Sequence, residues 1–233
     1  MTPTLLALAG TGATLLVLIL LQQSIAHRQT RQRQQDLQQA LVHSLELLQR
    51  LQKHRGLGGQ NSNDARNQCR NLALELDGLW RSLPGAAGEL AELQPAWRAL
   101  QQQAGDFDGH CRLIERLLIL IQLFELRLSG PLHSDLGIAS SCRELEELAR
   151  LRGLAVRGAS AERCPLPLQV QLRYLSLRLQ SRASRNTALA RALDSLRRQL
   201  IDPPRVAIAP AECFSLLTPL IDEQLGQLRQ RLA

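Results

Sequence analysis

The sequence predicts an all-α fold of up-down helical bundles behind an N-terminal transmembrane helix. Three observations carry this. Aromatic residues are only 3% of the 233-residue chain, so a core must be built from Leu, Ala, Ile and Val, and that favours helix over sheet. Apolar residues recur at helical spacing from Asp36 onward, with no convincing strand alternation. Thr4 to Leu21 is an uncharged, Leu-rich run that continues through Gln22 to Ala26 and reaches the roughly 20 residues a bilayer requires.

The apolar run comes first. No Lys or Arg precedes it, whereas His27, Arg28, Arg31 and Arg33 follow it directly. The positive-inside rule then places the N-terminus outside a bacterial inner membrane and the rest in the cytoplasm, with a periplasmic domain as the alternative. Ser24-Ile25-Ala26 could instead be the cleavage site of a secretory signal, but such a signal carries a positive n-region, which this one lacks. The expected division is an anchor with its basic juxtamembrane segment over 1–33 and one helical domain over 34–233.

In that domain Leu37, Leu41, Ser44, Leu48 and Leu51 mark a first helix to about Arg55, broken by Gly56, Gly58 and Gly59. Asn61-Ser62-Asn63 can cap a second helix, which reaches about Leu83 and stops at Pro84-Gly85. A third is expected over about 89–103, and a Gly105–Gly109 turn leads to a fourth over about 110–129. That helix is a buried core helix with Arg112, Glu115, Arg116, Glu125 and Arg127 on its other face. Gly130-Pro131 separates the halves, a fifth helix covers about 134–157, and residues 158–167 form a loop. A long sixth helix is expected over about 168–200, ended by Asp202-Pro203-Pro204, and Pro210 opens the last helix. The architecture expected is two four-helix-type bundles sharing long helices.

Composition narrows the function. The net charge is +7, but the basic residues are nearly all Arg, with Lys53 the only lysine. They are spread along the chain without base-stacking aromatics, so no nucleic-acid partner is expected. Cys69, Cys111, Cys142, Cys164 and Cys213 are odd in number and far apart, and read as small buried residues in a reducing compartment. His27, His43, His110 and His133 show no metal-ligand spacing. Gly56-Leu57-Gly58-Gly59 lacks the Gly-Lys-Ser/Thr ending of a P-loop, and no serine lies in a nucleophile elbow. Glu144, Glu146 and Glu147 read as a solvated, salt-bridging helix face. No catalytic constellation, metal or cofactor is expected, and the chain is read as a non-enzyme.

What remains is a repeated pattern. Arg55-Gly56 and Arg152-Gly153 each close a Leu-rich helical stretch, at a point where a glycine is expected to loosen the backbone. A guanidinium is planar, permanently charged and donates two parallel N–H bonds, so two of them facing one another suit a small planar anion. Solvated helix-end arginines are the alternative reading.

Leu51-Gln52-Lys53-His54-Arg55-Gly56 resembles the signature of the nitrate- and nitrite-sensing (NIT) domain family, which commonly has Leu-Gln-x-Glu-Arg-Gly there. Ala149-Arg150-Leu151-Arg152-Gly153-Leu154-Ala155 is similar to that family's second arginine stretch. Phe214-Ser215-Leu216-Leu217-Thr218-Pro219-Leu220-Ile221-Asp222 is similar to its C-terminal aromatic followed by Thr-x-x-Ile-Asp. The three occur in order over about residues 36–232. The resemblance implies a nitrate or nitrite site formed by Arg55 and Arg152, with Lys53, His54, Gly56 and Arg150 as weaker candidates. His54 replaces the usual acid, which would make the pocket edge more positive. Nothing in the chain matches an output module, so the expected role is a membrane-anchored sensor acting on an unidentified signalling protein, with self-association as one route. The alternative is a non-catalytic helical membrane scaffold with no ligand.

Overall fold

A computed structural model describes residues 2–129 and 136–232, with the side chains of 2–19 and Ala86 outside that description. Among the described residues the fold is all-helical. Helix α1 spans Thr2–Leu57, α2 Asn63–Arg81, α3 Gln94–Gln101, α4 Phe107–Ser129, α5 Ile138–Ala159, α6 Leu166–Ala183, α7 Thr187–Leu196 and α8 Pro210–Leu232. The Gly130-Pro131 break, His133 and the expected start of the fifth helix at Ser134 lie outside the described residues. Among the described residues no helix is long and apolar enough to cross a membrane. The side chains of the apolar run up to residue 19 fall outside that set.

Local chemistry explains most boundaries. Ser62 opens α2 by accepting a hydrogen bond from the Ala65 backbone N–H at 3.1 Å. Its buried residues Ala65, Cys69, Leu72, Leu76 and Trp80 are spaced by three and four, which is one helix face. The expected third helix is shorter, because a 3₁₀ segment occupies Gly85–Leu93 and Pro95 lies in the first turn of α3. The expected sixth helix is two. Asn186 takes extended angles and accepts from the Leu189 backbone N–H at 3.0 Å, capping α7 and ending the continuous run at Ala183. The chain then widens into one π turn over Arg197–Ile201.

Helix α5 packs against α1, α4, α6 and α8, and α1 packs against α2, α4, α5 and α8. These two helices therefore run through the centre of a Leu-rich core that also takes in Trp97 and Phe124. Glu125 departs from the solvated face expected of it. It is buried, and its two oxygens accept from the N–H groups of Ile138 (2.8 Å) and Ala139 (2.7 Å). A carboxylate on α4 thus satisfies the free donors at the start of α5 and favours its positive dipole end.

Candidate anion site

The site forms where α1, α4, α5 and α8 meet. Arg55 lies in the last turn of α1 and Arg152 in the middle of α5. Each is only 2% exposed. Burial at that level requires nearly every guanidinium N–H to find an acceptor.

Arg55 finds a carboxylate. Its Nη1 donates to Glu146 Oε1 at 2.6 Å and its Nη2 to Oε2 at 3.0 Å, a bidentate pair. Nη1 also reaches Cys111 Sγ at 3.3 Å, and the Phe107 ring centroid lies 5.2 Å from the guanidinium carbon. Burial alone would lower the Arg55 pKa, but the Glu146 charge and hydrogen bonds outweigh it and the value is raised.

Arg152 finds neutral groups instead. Nη1 donates to Thr218 Oγ1 and Nη2 to the Gln52 backbone carbonyl, both at 3.0 Å. The Phe214 ring covers it with its centroid at 4.5 Å. Among the described residues Arg152 pairs directly with no carboxylate, although the charges of Asp222 and Glu146 act on it, and its Nε, like that of Arg55, has no hydrogen-bond partner. Burial, and secondarily the Arg55 charge, lower its pKa to about 10. It is still protonated at neutral pH.

Gln52 joins the two arginines. Its Nε2 donates to Glu146 Oε2 at 3.0 Å, while its backbone carbonyl serves Arg152. One network therefore runs from Arg55 through Glu146 and Gln52 to Arg152 and Thr218.

The glycines do not loosen the backbone; both lie inside helices. They admit rings. A Cβ on Gly153 would sit 2.6 Å from Phe107 Cε2, and one on Gly56 would sit 2.9 Å from Phe214 Cε2. The relation is crossed. The glycine after Arg152 makes room for the ring over Arg55, and the glycine after Arg55 makes room for the ring over Arg152.

The weaker candidates divide. Lys53 and Arg150 are exposed and stand outside the network. His54 is buried and turned the other way, against the Trp97 edge and stacked on His110. His110 Nδ1 lies 2.6 Å from the Asp106 carbonyl, which can only accept, so that nitrogen carries the proton and Nε2 is free to accept. His54 Nδ1, 2.9 Å from His110 Nε2, is then the donor. Burial, then the His110 charge, lower the His54 pKa to about 4. Instead of making the pocket edge more positive, His54 is neutral at pH 7.

Sequence reasoning missed Glu146, Gln52, Phe107, Phe214 and Thr218 as partners of the arginines. Gln52, Phe214 and Thr218 had entered as part of a resemblance, without a role toward the arginines. Cys69, Cys142, Cys164 and Cys213 are buried, Cys111 is half-buried, and all five thiols are free. Burial pushes Cys142 up to about 12, Glu125 adding to it, so its thiol is unreactive at neutral pH. Among the described residues no three metal-capable side chains cluster. In comparison with known proteins, no family model, curated protein or solved structure matches this chain.

Proposed function

We propose that the chain is a membrane-anchored sensor that binds nitrate or nitrite through Arg55 and Arg152 and signals to a partner protein by helix movement. The observation that carries this is the pair of buried guanidiniums joined in one network, with Arg152 in direct contact with no carboxylate and the Nε–H of both arginines buried without a partner. Asp222 and Glu146 act on Arg152 only through space and do not offset its burial, so an incoming anion in direct contact would be favoured. The donors come from α1 and α5, and Thr218 comes from α8, so a shared anion would tie together helices far apart in sequence.

The anchor is the uncharged run in the first part of α1, with the basic residues after it holding the domain on the cytoplasmic side of a bacterial inner membrane. On this reading α1–α4 and α5–α8 are two bundles joined through the long helices. A signalling partner, or a second copy of the chain, would receive the movement.

Isothermal titration of nitrate and nitrite into the full-length chain in detergent tests the proposal. Saturable binding that is lost in Arg55→Ala and Arg152→Ala is expected. Absence of heat with either anion, or unchanged affinity in both variants, would overturn it.

The completed ion pair between Arg55 and Glu146 favours a second reading, a helical membrane scaffold with no ligand. Thermal melting separates the two. A ligand at 100 times its dissociation constant adds about 2.7 kcal/mol of stability, whereas a scaffold melts at the same temperature with or without nitrate.

A further inference from the structure

We propose that Glu146 sets the affinity and the shape selectivity of this site: its carboxylate holds the place on Arg55 that an external planar anion takes, and the anion binds by exchanging with it. This rests on the sensing reading above. The first support is geometric. Both Glu146 oxygens are engaged by the Arg55 fork, at 2.6 and 3.0 Å. The O–C–O edge of a carboxylate has the shape of the O–N–O edge of nitrate or nitrite. A fork already fitted to one fits the other.

The second support is accessibility. The Arg55 side chain is fully enclosed at 0% exposure, while that of Glu146 retains 13%. Glu146 has a way out to water that Arg55 lacks. Among the described residues only one side-chain amide, Gln52 Nε2, also holds it, at Oε2.

The third support is the number of edges. A side-chain carboxylate offers one O–C–O edge, because its third substituent is its own carbon chain. It serves one guanidinium. Nitrate offers three edges and nitrite adds a nitrogen lone pair to its two oxygens. Either can accept from Arg55 and also from a second donor. Arg152 would supply that donor: its Nε is buried without a partner, as is that of Arg55, and no carboxylate touches it. The exchange leaves the buried charge unchanged, one monoanion replacing another, so no isolated charge is created. It also replaces a direct tie between α1 and α5 with a bridge through the ligand, and this alters how the two helices are held together.

Nitrate titration of the full-length wild type, Glu146→Gln and Gln52→Met tests the proposal, with circular dichroism to verify folding. Glu146→Gln keeps the shape and removes the competing charge. Its nitrate affinity should rise by about tenfold or more. Gln52→Met loosens the carboxylate without changing charge and should shift affinity in the same direction by less. Formate, with two oxygens, should gain less than nitrate in Glu146→Gln. Binding by the wild type with equal or weaker binding by a folded Glu146→Gln overturns the exchange and leaves the sensing reading intact. If Glu146→Gln does not fold, unchanged affinity in Gln52→Met overturns the exchange. Binding by Glu146→Gln alone supports the exchange and overturns sensing by the native chain. No binding by any of the three overturns both.

Discussion

Arg55 and Arg152 are equally buried, each precedes a glycine, and each faces an aromatic ring, yet they are held in different ways. Arg55 is neutralised by a bidentate carboxylate that raises its pKa. Arg152 is held by a hydroxyl, a carbonyl and a ring, and its pKa falls to about 10. The comparison separates two conditions that are often merged. A buried guanidinium needs acceptors, and neutral ones suffice to keep it protonated. A buried guanidinium with a carboxylate has, in addition, a partner that is stranded when the arginine is removed.

That difference sets the largest expected effect. Arg55→Met leaves Glu146 largely buried without its partner and should cost about 3–5 kcal/mol in urea denaturation. Arg152→Met leaves no charge behind. Thr218 keeps its own bond to the Phe214 carbonyl, so this variant should lie within about 1 kcal/mol of wild type, or above it. Equal losses in the two variants would break the comparison.

A pH titration probes the surroundings of Arg55. His54, next to it in sequence, drops from 6.5 to about 4 on folding. Below pH 6.5 the unfolded chain takes up a proton that the folded chain refuses, so stability falls as pH drops from about 6.5 to 4, then levels with respect to this group. The decline should be on the order of 3 kcal/mol, and His54→Gln should remove most of it. His110 is lowered as well, chiefly by burial, and steepens the same decline. Urea midpoints across pH 4–7 that coincide for wild type and His54→Gln would show that the histidine is not held neutral.

The crossed glycines give a smaller effect. Gly153→Ala must displace the Phe107 ring over Arg55 and should cost about 1–3 kcal/mol. Gly56→Ala meets the Phe214 ring over Arg152 at a longer distance and should cost less. Phe107→Leu in the Gly153→Ala background should recover part of the loss. A loss that is additive in the double variant would mean that the ring is not the obstacle.

The helices and the two arginines were legible in the sequence because each rests on a local rule. Leu spacing marks the part of α1 from Leu37 to Arg55, though not its continuity back to Thr2, Ser62 marks the start of α2, and an Arg-Gly pair in an apolar stretch is visible by inspection. Glu146 was not legible. It lies among Glu144 and Glu147, which pair with Arg182 and Arg178 nearer the surface, and nothing in the spacing distinguishes it. The apolar period fails in the same helix, because residues 151–156 are all buried. Over that stretch the helix is enclosed on every side and has no solvent face from which to read orientation. Asn186 was overlooked for a related reason: the Leu pattern runs on across it, and only the cap geometry shows the break.

Residues 20–35 of α1 are exposed along their whole length, and the helix carrying them is the same one that ends at the Arg55 site. From Leu37 back to Thr2 that helix measures about 53 Å at 1.5 Å per residue. It is a lever arm. Sliding or rolling at Arg55 reaches the far end undiminished but not enlarged, whereas a tilt of about 10° where α1 enters the bundle displaces Thr2 by roughly 9 Å. Tilt is therefore the one motion of α1 that its own length magnifies.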